Sequence, residues 1–150
     1  MSGNNEQTAE NADVEVVRTS RDDVALREKL QVWLATQMPA GATPQVSEIS
    51  SPSASGMSSE TLLFDVSWTN EEGATVSEAF VGRMSPSVED HPTFPTYDLA
   101  MQAEVIRLAG EAGVPVPIVR WLELDASVLG SPFLIMERLE GRVPADVPTY

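Results

Sequence analysis

The chain has 150 residues, 42% of them apolar, and a formal net charge of −14, which is enough for one domain with one core. So acidic a surface repels nucleic acid and anionic membrane, and neither is an expected partner. There is no cysteine, so disulfide and thiolate chemistry are excluded, and the single histidine, His91 before Pro92, cannot build a zinc site alone.

Residues 1–19 are polar, acidic and aperiodic, which predicts a disordered tail. They show neither the basic start nor the apolar run of a secretory signal, and no apolar stretch approaches the ~18 residues of a membrane span, so a cytoplasmic protein is expected. Residues 20–45 predict a helical extension. Ser20 is a candidate N-cap with Asp23 as its capping-box acid, and Leu26, Leu30, Trp33 and Leu34 follow at helical spacing. Pro39 and Gly41 should end this helix.

Val46 to Ile49 predicts a short strand, and residues 51–59 a loop of small residues. Thr61 to Trp68 alternates as a strand, with Leu62, Phe64, Val66 and Trp68 on one side and Leu63, Asp65 and Ser67 on the other. Asn70-Glu71-Glu72-Gly73 has turn composition, and Thr75 to Met84 returns as the second arm of an antiparallel hairpin. Residues 85–96 hold three prolines and predict a loop. Tyr97 to Gly110 predicts a helix whose inner face carries Leu99, Ala103, Ile106 and Ala109, joined by Val105, with Gly113 as the stop. Val114-Pro115-Val116-Pro117 should be extended, because each proline restrains the residue before it. Ile118 to Leu124 predicts a strand, Asp125 to Ser131 a turn, and Phe133 to Met136 a buried strand. The fold class is α+β: a five-stranded antiparallel sheet, a crossing helix and an N-terminal helix.

Five pieces of this sequence carry a family resemblance. They are Gly56 to Thr61, Phe80-Val81-Gly82-Arg83, Tyr97-Asp98-Leu99, Val114 to Pro117, and Phe133 to Gly141. In this order and spacing, residues 46–150 resemble the N-terminal lobe of the aminoglycoside phosphotransferase family, a branch of the protein-kinase-like fold. The resemblance is closest to bacterial phosphotransferases with an N-terminal extension, and it implies that the stretch ends in an interlobe hinge.

The resemblance implies a site for ATP or GTP with magnesium. Ser58 and Ser59 fall in the phosphate-positioning loop, where small residues let backbone N–H groups approach a phosphate. Arg83 takes the strand position of the cation that grips the α and β phosphates. The only lysine, Lys29, lies in the first helix, and arginine can grip phosphate bidentately. Gly82 beside it is expected to leave space for the ligand. The crossing-helix residue that orients this cation falls on Gln102 where the family has Glu, and Glu104 is the alternative if the helix is shifted. Met136 lines the base pocket, with the Glu137 carbonyl and Leu139 amide as the hinge groups that hydrogen-bond the base.

The family keeps its base and metal-binding carboxylates in a C-terminal lobe, in a His-Gly-Asp segment and a later Asp. Neither occurs here, and Glu71-Glu72 and Glu89-Asp90 read as solvated charge in turns. The expectation is therefore a fragment of a phosphotransferase acting on a small-molecule hydroxyl, inactive by itself. The alternative is a non-catalytic nucleotide-binding or interaction module that is complete as it stands. A lobe surface near Phe133 and Val143 is expected to be exposed and to self-associate.

Overall fold

The computed structural model describes residues 22–51, 59–86 and 97–141. Among the described residues three helices and five strands follow in the order α1 (Asp23–Gln37), β1 (Gln45–Val46), β2 (Glu60–Thr69), β3 (Thr75–Met84), α2 (Leu99–Glu111), β4 (Val119–Glu123), α3 (Ala126–Leu129) and β5 (Phe133–Glu137). The strands form one sheet in the order β1-β2-β3-β5-β4, and every pairing is antiparallel. The α+β class, the hairpin and the crossing helix are as the sequence predicts. Among the described residues, no helix is long and apolar enough to cross a membrane.

Alternation along each strand sorts the side chains onto two faces. One face carries Leu62, Phe64 and Val66 of β2, Phe80 and Met84 of β3, and Phe133 and Ile135 of β5, all buried. Helix α1 covers it with the predicted stripe of Leu26, Leu30, Trp33 and Leu34, and these residues form one continuous core. Trp33 meets Phe133 edge-on at 4.8 Å between ring centroids, and its indole N–H donates to Glu123 of β4 at 3.1 Å. Removing this apolar surface from water is the main stabilisation of the unit. The other face is met by α2, which runs beside β4 and β5. Leu134 and Leu99 are buried apart from the α1 core.

Several expectations need correction. The N-cap of α1 is Asp22, not Ser20; its carboxylate accepts from the amides of Val24 at 3.0 Å and Ala25 at 3.2 Å. Asp22 satisfies orphan donors of the first turn, so Asp22→Ala should lower stability by about 1 kcal/mol, read as a reduced urea midpoint with an unchanged slope. The first strand is shorter than predicted, Gln45–Val46, followed by an isolated bridge from Ser50 to Leu63. The stretch after Asp125 is a one-turn helix, α3, capped by the Asp125 carboxylate and stopped by Gly130 at φ 92°. The hydrogen bond from Ser127 holds the Asp125 carboxyl below its ordinary range.

Val105 does not join the inner face of α2. It is 55% exposed, and with Met101 and Leu108 forms an outer apolar flank. Gly82 does not open onto a ligand either: it lies on the α1 face, where an added Cβ would meet Leu62 and Phe64 at 3.4 Å. Phe133 is 1% exposed, a core residue and not part of a free lobe surface. Val143 lies outside the described residues, as do residues 1–19 and His91.

Candidate functional site

The α2 side of the sheet carries the sequence-predicted polar groups in ordered rows. Strand register places Thr61, Arg83 and Leu134 side by side across β2, β3 and β5. The next row on the same face is Leu63, Val81, Met136 and Val119, partly buried apolar side chains from four strands. The third is Asp65, Ala79 and, one residue past β5, Arg138. Successive rows are two residues apart, about 7 Å. A cation therefore stands at one end of an apolar strip, and an ion pair closes the other.

Arg83 is brought to Ser59. Its guanidinium donates to the Ser59 hydroxyl at 3.1 Å, although 24 residues separate them. The cause is the hairpin register: Glu60 opposes Met84, so the residue entering β2 lies beside the exit of β3. Ser58 lies outside the described residues.

Gln102 lies on the inward side of α2 with Leu99, Ala103 and Ile106. Its side-chain carbonyl oxygen is buried and has no hydrogen-bond partner among the described residues. Such a group costs about 1–3 kcal/mol of desolvation until something donates to it. Helix α2 flanks β5, whose Leu134 is the register neighbour of Arg83.

Glu104 points elsewhere. It is half-exposed and accepts two hydrogen bonds from Arg107, at 2.7 and 2.9 Å, while Arg107 also pairs with Glu111. The hydrogen bond from Arg107 holds the Glu104 carboxyl below its ordinary value, and Glu104, then Glu111, hold the guanidinium above its own. A depressed carboxyl gives this surface pair its effect above the ordinary Glu range and loses it as pH falls through the lowered value. Glu104 thus has Arg107 as its partner here.

At the end of β5 the backbone donors divide cleanly. The Glu137 amide donates to the Ile118 carbonyl at 3.0 Å, and the Arg138 amide to the Ala79 carbonyl, also at 3.0 Å. In an extended strand the N–H and C=O of one residue face the same edge, so the Glu137 carbonyl faces the Ile118 side. The Leu139 amide has no backbone partner among the described residues, and the Leu139 side chain is 59% exposed. Met136 sits in the apolar row. Among the described residues no three His, Cys, Asp or Glu side chains converge on one point. A cavity of about 410 Å³ lies at the far end of the β2–β3 hairpin, against Pro39, Trp68 and Asn70, and gathers none of the candidate residues.

A family model described as the phosphotransferase enzyme family (APH) matches residues 64–149, more than half of the chain. The chain belongs to that family. In the phosphotransferase chain the matched span holds Arg83, Gln102, Met136, Glu137 and Leu139; Ser59 and all of α1 lie before it.

Sequence reasoning missed the charged side chains that grip the end of β5. Arg138 pairs with Asp65 at 2.9 Å, and Arg120 bridges Glu137 at 2.9 Å and Glu78 at 3.0 Å. These partners come from different strands, and only the sheet register brings them together.

Proposed function

We propose that residues 46–150 form the nucleotide-gripping lobe of a phosphotransferase, preceded by a helical extension over residues 20–45. The observation that supports it most is the Arg83–Ser59 contact at one end of the Leu63–Val81–Met136 strip. In this reading the strip receives the flat face of a base, burying apolar surface on both partners. Arg83 and the serine loop, Ser58 with Ser59, take the phosphates. Gln102 is the neutral orienter: its buried carbonyl oxygen accepts from Arg83 once phosphates draw the guanidinium off Ser59. The transferred group goes to a hydroxyl of a small molecule, and magnesium accompanies the nucleotide from carboxylates outside the described residues. A cytoplasmic setting fits this co-substrate.

The hinge favours ATP over GTP. The spare Leu139 amide is a donor, and the Glu137 carbonyl is an acceptor. Adenine offers an acceptor at N1 and a donor at its amino group, whereas guanine carries a hydrogen on N1 and an acceptor at O6. Calorimetric titration of the 150-residue protein should therefore show tighter binding of ATP than of GTP. Gln102→Leu removes the orphaned oxygen, so it should leave folding unharmed or slightly improved while weakening ATP by about 1 kcal/mol. Equal affinity for the two nucleotides would overturn the hinge assignment, and unchanged ATP affinity in Gln102→Leu would remove Gln102 from the site.

A further inference from the structure

Two consecutive hinge residues are seized from opposite faces of the sheet. Glu137 follows Phe133 and Ile135 on the α1 face, and its carboxylate takes the Arg120 guanidinium at 2.9 Å. Arg120 reaches it because β4 slips register there: Val119 opposes Met136, but Trp121 opposes Ile135. The two residues at such a bulge turn their side chains to the same side, so Arg120 joins Trp121 on the α1 face. The same guanidinium holds Glu78 of β3 at 3.0 Å.

Arg138 emerges on the α2 face. Its side chain passes over β3 to Asp65 of β2 at 2.9 Å, and its amide donates to Ala79 beneath. Only a methyl group stands at Ala79 to obstruct it. Asp65 is itself fixed, because its amide donates to the Ser47 hydroxyl at 2.9 Å. Three strands, β2, β3 and β4, thus bring charge to one point in the chain, the peptide between Glu137 and Arg138.

These pairs are half-exposed, and pairs of that kind contribute little to folding. Their geometry does something else. Side chains of neighbouring strand residues point to opposite faces, so fixing both prevents rotation of the peptide joining them. That peptide carries the Glu137 carbonyl, and the Leu139 amide follows directly. We propose that Arg120–Glu137 and Asp65–Arg138 form a two-sided clamp that presets the hinge for the base, with Asp65 and Arg120 as positioning residues. The proposal rests on the nucleotide reading above. Glu140, 3.9 Å from Arg138, is the competitor that would draw Arg138 away if Asp65 were lost.

The test uses the 150-residue protein with two readouts. Asp65→Asn and Arg120→Gln should each weaken ATP binding about two- to fivefold, the scale of one exposed ion pair, with the urea midpoint almost unmoved. The exchanged pair, Asp65→Arg with Arg138→Asp, should recover most of the loss, which a purely structural role would not predict. Amide hydrogen exchange reads the clamp without nucleotide: the Arg138 amide should exchange faster in Asp65→Asn than in the parent, while core amides of β3 do not change. Faster exchange at Arg138 with no ATP binding by the parent would uphold the clamp and sink the nucleotide reading. Unchanged exchange at Arg138, undiminished ATP affinity in both single variants, or a matching fall in global stability would each overturn the clamp.

Discussion

Arg83→Ala should weaken ATP binding by about 1–3 kcal/mol, the cost of removing a charged hydrogen-bonding partner, which is roughly 5- to 150-fold in affinity. Arg83 is partly buried on the α2 face, and its partner among the described residues is the Ser59 hydroxyl. The serine is also partly exposed, so water can replace the lost donor. Folding should therefore suffer much less than binding. Arg83→Lys separates charge from shape. Lysine keeps the positive charge but loses the planar fork, so it should fall between the parent and alanine. Calorimetric titration gives the affinities, and urea unfolding of the same samples gives the stabilities. ATP affinity that survives Arg83→Ala intact would sink the assignment of Arg83 as the phosphate cation. A loss of stability as large as the loss of binding would make Arg83 a folding residue instead.

How much of this was legible in the sequence depends on what each feature required. The α1 stripe and the β2–β3 hairpin are local patterns. Leu26, Leu30, Trp33 and Leu34 repeat at helical spacing, and Thr75 to Met84 alternates, so periodicity alone located them. Ser20 was read as the helix cap because serine is a good cap residue; aspartate is equally good, and the start of the helix places the cap at Asp22. Helix α3 spans four residues, too few for a periodic signal, although Asp125 before it and Gly130 after it are start and stop residues.

Val105 was misassigned because α2 is apolar over more than half of its circumference. Apolar residue type cannot then tell the inner flank from the outer one, and packing against β4 and β5 made the choice. The candidate site divides in the same way. Arg83, Gln102, Met136, Glu137 and Leu139 enter as candidates through the resemblance, and all five lie within the matched span. The Arg83–Ser59 contact and the Asp65–Arg138 and Arg120–Glu137 pairs were not legible, since each needs the register between strands.

Phe133→Ala should be among the most damaging single substitutions in the molecule, costing about 3–5 kcal/mol of folding stability. As a surface residue of a lobe interface, Phe133 would tolerate truncation within about 0.5 kcal/mol. The two placements therefore differ by an amount that urea unfolding resolves easily. Phe133 is 1% exposed, stands edge-on to Trp33 at 4.8 Å, and opposes Met84, itself fully buried, across β3. Deleting its ring leaves a void between α1 and β5 that backbone on both sides prevents from closing. It also removes the partner of Trp33, whose indole N–H is anchored to Glu123 and cannot follow the void without giving up that bond. A domain with typical stability of about 5–15 kcal/mol would lose much of its margin. Leu139→Ala is the comparison: Leu139 is 59% exposed just past β5, and its truncation should leave the urea midpoint nearly unchanged. A tolerant Phe133→Ala beside a damaging Leu139→Ala would reverse the inside and outside of this sheet, and with them the face assigned to the nucleotide.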